Sequence, residues 1–164
     1  MNQCTMQLMK KLVEKHCPNY QKVLDIGSYD VNGCFKDLFR KGTYTGLDMR
    51  AGPNVDLVPN DIYKWTEIPD NSYDLVISGC CLEHIEAPWL TMKEIDRVCS
   101  GYTIHIAPWK WRIHPYPQDC WRILPDGMKY LLTKWCNFDL LECDTACDTG
   151  PMESLCYGVG VKRK

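Results

Sequence analysis

The chain has 164 residues, a formal net charge of -2 and an apolar fraction of 45%. That length fits one domain with a core that needs no disulfide staples. The charge offers no broad attraction to nucleic acid, and the C-terminal Lys162-Arg163-Lys164 reads as a solvated tail. No stretch approaches the ~18–20 apolar residues of a membrane span, and the N-terminus lacks the long apolar run of a secretory signal. A cytoplasmic protein is expected. Its eleven cysteines include no Cys-x-x-Cys pair, so most are expected to be reduced, small buried hydrophobes, and no metal ligands are assigned.

Residues 3–16 place Leu8, Met9, Leu12 and Val13 at helical spacing. Cys17-Pro18-Asn19 ends that helix, since proline disfavours helix in the residue before it. Lys22 to Ile26 reads as the first strand, closing on the acid Asp25 and followed by Gly27. Gly27, lacking Cβ, lets another molecule approach the backbone. A carboxylate at that strand end suits a cationic ligand and would repel a pyrophosphate. Gly33 to Arg40 is expected to form a short helix with Phe35, Leu38 and Phe39 on one face.

Tyr44 to Leu47 is the second strand, ending at Asp48, and Val55 to Val58 a short third. Asp61 to Trp65 leads into a loop around Pro69-Asp70-Asn71. Tyr73 to Ser78 is the most strand-like segment, because Leu75-Val76-Ile77 is continuously apolar, as in a strand buried on both faces. Pro88 opens a helix. Gly101 separates it from strand five, Tyr102 to Ala107. The alternation of strand and helix argues for right-handed parallel crossovers.

Residues 108–125 hold Trp109, Trp111, His114, Tyr116, Trp121 and Arg122 with four prolines. So long and aromatic a loop in a compact domain is usually functional, and it is assigned to the substrate side. Pro125 starts the last helix, with Met128, Leu131, Leu132 and Trp135 at helical spacing. Asn137 to Cys143 should be strand six, 144–151 a hairpin connection, and Ser154 to Val161 an antiparallel last strand.

Four of these motifs, in order and in register, resemble class I S-adenosylmethionine-dependent methyltransferases of the type 11-like group. They are Lys22 to Gly33, Tyr44 to Asp48, Asn60-Asp61-Ile62, and Ser72 to Ile85. His114 to Arg122, with Pro125 to Met128, resembles a bacterial and phage-type subgroup. The resemblance implies a Rossmann-like α/β three-layer sandwich: a mostly parallel sheet of seven strands, or slightly fewer, with an antiparallel last strand. It implies S-adenosylmethionine held by Asp25, Gly27, Ser28 and Tyr29, with Asp48 on the ribose and Met49, Asp61 and Ile62 at the adenine. Gly79 and Cys80 would border the methionine part. Tyr29 stands where many such enzymes have a second glycine, which narrows the cleft.

For the acceptor side, the residues themselves offer His84, His114 and Asp119 as catalytic candidates. Histidine's ordinary pKa, near ~6.5, suits base work. Tyr116, Trp121 and Arg122 are candidate substrate-binding residues, Arg122 through its fork. His105, inside a strand, reads as a core histidine, and Glu83 as structural or catalytic. The expected activity is methyl transfer to an oxygen or nitrogen of a small-molecule or sugar-like acceptor. The rivals are a non-catalytic cofactor-binding scaffold and a nicotinamide-dependent oxidoreductase. The latter lacks the Gly-x-Gly-x-x-Gly turn for a pyrophosphate.

Overall fold

The computed structural model describes residues 3–150 and 153–164. Helix α1, Gln3–His16, precedes strands β1, Lys22–Ile26, and β2, Thr43–Leu47. Strand β3, Tyr73–Gly79, leads through a 3-10 turn at Leu82–His84 to helix α2, Pro88–Val98. Then come β4, Cys99–Lys110, helix α3, Pro125–Thr133, and the antiparallel pair β5, Phe138–Gly150, and β6, Glu153–Lys162. The sheet order is β2-β1-β3-β4-β6-β5. The first four strands run parallel, and β6 is antiparallel to both its neighbours.

Alternation along the strands builds two cores. In β1, Val23 faces one side with Leu75 and Ile77 of β3, where Met9, Leu12 and Val13 of α1 cover them. Leu24, Ile26 and Val76 face the other side, under Met92, Ile95 and Val98 of α2 and Met128, Leu131 and Leu132 of α3. The result is the expected three layers. Each fully buried Leu, Ile or Met contributes about 1.5–3 kcal/mol, so both faces are strongly fixed.

Four features of the fold differ from the expectations above. The third strand is absent among the described residues: Leu57 makes one isolated parallel bridge to Leu47, leaving six strands. The helix from Gly33 to Arg40 shrinks to a 3-10 turn, Lys36–Phe39. Phe35 and Phe39 are buried there, and packing these two rings takes one turn, not a full helix. Gly101 makes no separate connection, because α2 passes directly into β4. Finally, β5 continues through Gly150 where a hairpin loop was expected; residue 151, the end of that expected loop, lies outside the described residues.

Cys4 of α1 and Cys147 of β5 are joined by a disulfide. This pair is the exception to the expectation that most cysteines are reduced; the other nine are free. Of the other cysteines, only Cys17, Cys99, Cys136 and Cys156 are buried; Cys34, Cys80, Cys81 and Cys143 are half-buried and Cys120 is exposed, so the expectation that most are buried is met at four positions.

Asp25 shares the α1 face of β1 with Val23, as period-two alternation requires. It is buried, and the Tyr44 hydroxyl donates to its Oδ2 at 2.5 Å. Burial pushes its pKa up to about 7; Tyr44 opposes the rise and Asp48 adds to it. An unfolded aspartate ionises near ~3.9. Between roughly pH 4 and 7 the native state therefore holds a proton that the unfolded chain has lost, and stability falls as pH rises through that window. Asp25→Asn keeps an acceptor for Tyr44 and should remove this contribution. Its melting temperature is expected to exceed that of the natural protein by a few degrees at pH 8, with the gap narrowing at pH 5. Glu83 titrates alike in both proteins, so a gap equal at the two pH values would rule the aspartate out.

Candidate active site

Crossovers leave β1 toward β2 in one direction and β3 toward β4 in the other, so the strand order reverses between β1 and β3. In open α/β sheets ligands bind outside the carboxyl ends of strands at such a point. A cavity of about 670 Å³ lies there, within the range usual for small-molecule sites.

One end is built by the turns after β1, β2 and β3. Gly27 has φ +74°, and a Cβ on it would come within 2.4 Å of Cys81 Sγ. Gly79 backs onto the Phe35 ring, 2.5 Å from where its Cβ would stand. Cys80 adopts φ 54°, a left-handed conformation that costs a non-glycine residue about 1 kcal/mol or more and is often found at functional sites. Asp48 lines the cavity; its Oδ2 accepts from Tyr29 N at 3.2 Å and its Oδ1 from Arg50 N at 3.3 Å. Each of these oxygens keeps a lone pair for a further donor. Met49, Pro59, Ile62 and Tyr63 form an apolar flank. Arg50 lies between two rings, 5.1 Å from the Tyr29 centroid and 5.4 Å from that of Tyr116. This stack joins the first two loops to the aromatic loop across the cavity.

The other end is built by residues 82–85 and the loop 111–124. Backbone bonds stitch the two together: Cys120 N and Trp121 N both donate to Glu83 O, at 2.8 and 3.1 Å. Gln118 Nε2 donates to His84 O at 2.9 Å, and His84 Nδ1 donates to Gln118 O at 2.5 Å. A carbonyl only accepts, so His84 carries its proton on Nδ1. Burial lowers its pKa, leaving Nε2 with a free lone pair. That nitrogen lies 3.6 Å from Glu83 Oε1, and His114 Nε2 lies 3.9 Å from the same oxygen. Glu83 is fully buried, yet neither carboxylate oxygen has a hydrogen-bond partner among the described residues. Desolvation pushes its pKa up to about 8. Two imidazoles and an unpaired carboxylate thus face one space, able to receive a proton or hold a cation.

Several residues singled out in the sequence lie elsewhere. Asp25 and Ser28 sit behind the cavity wall, both buried. Asp61 turns outward and accepts from Tyr63 N at 2.8 Å, an ordinary turn acid. Asp119 and Arg122 do not line the cavity. They form a bidentate pair at 2.6 and 2.8 Å, and the Arg122 guanidinium also donates to Trp111 O, Trp121 O and Arg112 O. Its fork is fully engaged within the loop, away from the cavity. That guanidinium holds the Asp119 carboxyl well below the usual carboxylate range, so Asp119 is a poor base. Trp121 donates its indole N–H to Ile85 O at 2.8 Å and packs on Trp89, a brace outside the cavity. Tyr116, His84 and His114 do line it. His105 is a core histidine as expected, with Nδ1 2.7 Å from Ser78 Oγ and Nε2 2.6 Å from Thr103 Oγ1. Glu83 and Arg50 carry more of the site than the sequence reading gave them. The signal for Glu83 was an acid and a histidine adjacent in the turn after the most buried strand.

Residues 24–102 match the methyltransferase domain family. No curated protein sequence gives a significant match. In structure the chain is similar to 1,6-didemethyltoxoflavin-N1-methyltransferase of Burkholderia thailandensis with bound 1,6-didemethyltoxoflavin and S-adenosylhomocysteine. Identity is 15% and the TM-score 0.74, over 98% of this chain and 79% of that one. It is similar also to a SAM-dependent methyltransferase from Aquifex aeolicus, at 15% identity and a TM-score of 0.66, over 97% and 89%. The N-terminal domain of EvdMO1, in the presence of S-adenosylhomocysteine and D-fucose, matches at 17% identity and a TM-score of 0.64, over 99% and 84%. The sheet order and the cavity at its reversal point define a class I methyltransferase fold. The chain has that fold, and the family match lies within it, over just under half of the chain.

Two variants test this account of the site. Gly27→Ala forces a left-handed alanine against Cys81 and should cost roughly 1–3 kcal/mol in urea denaturation; an unchanged midpoint would show that the turn relaxes freely. Arg122→Ala leaves Asp119 without its partner. It should speed limited proteolysis within 111–124, whereas unchanged cleavage would mean that the pair does not hold the loop.

Proposed function

We propose that this protein transfers the methyl group of S-adenosylmethionine to an oxygen or nitrogen of a small-molecule or sugar-like acceptor. The observation that carries this reading is the shared cavity. Gly27, Asp48 and Gly79 line one end of it, and His84, His114 and Tyr116 the other. The cofactor would lie along the first end. Its ribose hydroxyls would donate to Asp48, its adenine would rest among Met49, Ile62 and Tyr63, and its methionine part would pass Gly27 toward Gly79 and Cys80. Asp25 would act from behind the wall, as a buried carboxyl steadying the strand end.

The acceptor would sit at the histidine end. Its lone pair attacks the methyl carbon, the carbon–sulfur bond breaks, and S-adenosylhomocysteine leaves; a protonated acceptor also gives up a proton. Alignment of nucleophile, methyl carbon and sulfur supplies much of the rate, several kcal/mol in well-oriented cases. A stitched, aromatic loop is suited to that task, because it fixes the acceptor without itself reacting. Small-molecule acceptors draw support from the Burkholderia thailandensis enzyme with its bound 1,6-didemethyltoxoflavin, and sugar-like ones from the EvdMO1 domain with D-fucose.

S-adenosylhomocysteine should raise the melting temperature where NAD does not. Asp48→Ala should weaken calorimetric S-adenosylhomocysteine affinity at least about tenfold, beyond the ~1 kcal/mol of one ordinary hydrogen bond. Radiolabelled methyl transfer into a metabolite extract tests the chemistry; tight cofactor binding with no transfer would favour a scaffold.

A further inference from the structure

The least explained feature of the cavity is Glu83. Its side chain has 0% exposure, and neither carboxylate oxygen has a hydrogen-bond partner among the described residues. Proteins rarely leave a buried carboxylate unpaired, because desolvating it costs several kcal/mol. Around it stand two imidazoles whose nitrogens have been sorted. His84 donates from Nδ1 to Gln118 O, and His114 Nδ1 donates to Arg112 O at 3.0 Å, with Asp119 Oδ2 3.3 Å away. Both Nε2 atoms face Glu83 Oε1, and one ligand atom from each of the three residues lies within 4.8 Å of the others.

We propose that Glu83, His84 and His114 form a binding site for a divalent first-row transition ion such as Zn²⁺, open toward the cavity. Two imidazoles and one carboxylate are a known zinc ligand set that leaves a position free for a further oxygen. Nitrogen donors favour such an ion over calcium or magnesium, which prefer all-oxygen shells. Around a tetrahedral zinc, ligand atoms stand about 3.3 Å apart. The two histidine–carboxylate separations, 3.6 and 3.9 Å, need to close by about 0.3 and 0.6 Å, and the two imidazoles, within 4.8 Å of each other, must also draw in. The outer contacts are those a metal site requires: each ligating histidine has its other ring nitrogen bonded to a carbonyl or carboxylate, which fixes tautomer and ring orientation. Asp119 and Arg122 then have a clear task. Their pair, with His114 N donating to Asp119 Oδ2 at 2.8 Å, sets where His114 stands. The ion itself compensates the Glu83 charge.

The free coordination position faces the acceptor end of the cavity. If methyl transfer is the activity, an acceptor hydroxyl bound there loses its proton more readily, and its oxygen is held toward the methyl group. That use rests on the function proposed above; the ion site does not.

The test uses the full chain, treated with EDTA, freed of chelator, and titrated with Zn²⁺ against a chromophoric chelator. One ion per chain is expected. His114→Ala and His84→Ala should each weaken binding at least about tenfold, while His16→Gln, remote from the cavity and paired with Glu142, should not. Far-ultraviolet dichroism checks folding, and His114→Ala, on a partly exposed loop side chain, is the variant that decides if His84→Ala unfolds. Co²⁺ in place of zinc should give weak visible bands without the intense near-ultraviolet bands of thiolate ligation. No zinc binding, binding retained in both histidine variants, or a thiolate spectrum would overturn the proposal. Failure of S-adenosylhomocysteine to bind the same preparation would overturn the methyl-transfer reading and leave the zinc result standing.

Discussion

The parallel pairing of β1 with β3 is the constraint on which the site depends. It sets Leu24 opposite Val76 and Ile26 opposite Ser78, which brings Gly27 and Gly79 to the same rim. Because the crossovers diverge there, no helix among the described residues covers the gap between the two strand ends. Ladder hydrogen bonds and two buried faces hold that rim, so the cavity's floor is as rigid as the core. A one-residue slip would turn Val23 and Asp25 toward α2 and break both cores at once.

Much of this was legible because it follows from period and end chemistry. Strands β1, β2 and β3 announce themselves as apolar runs ending in acid or glycine, and Pro88 and Pro125 mark helix starts. The errors came where local pattern met tertiary demand. Val55 to Val58 looks like a strand, but only Leu57 bridges β2; Asp56 instead accepts from Gly46 N at 2.8 Å, using its side chain where a ladder bond would run. Asp25 looked like a cofactor ligand because it ends a strand. Parity sends its side chain to the α1 face, where Tyr44 meets it, and parity is readable in a sequence only once the facing layer is known. Arg122 looked like an anchor because its charge is visible in the sequence and its internal partners are not.

The loop 111–124 shows how irregular backbone becomes precise without regular secondary structure. Glu83 O accepts two of its N–H groups, and Gln118 exchanges bonds with His84 in both directions. Asp119 and Arg122 close it from within. A charged pair of this kind adds little net stability when desolvation is counted. What it supplies is position: it restricts the loop to conformations that keep His114 over Glu83. The aromatic contacts do similar work at the mouth, where Arg50 between Tyr29 and Tyr116 joins three loops that the sheet alone would leave independent.

A fold selected for stability alone would not keep Glu83 as it stands. Leucine at the same buried position would pack without a desolvation cost, and the backbone carbonyl that anchors the loop would be unaffected. The strained Cys80 three residues earlier points the same way, since a glycine would accept that φ at less cost. Two such costs within one turn, both bordering the cavity, mark the exit of β3 as the place where function outweighs packing. Both costs concern placement: Cys80 turns the chain out of the sheet, and that turn delivers Glu83 and His84 to the space that His114 reaches from the other side.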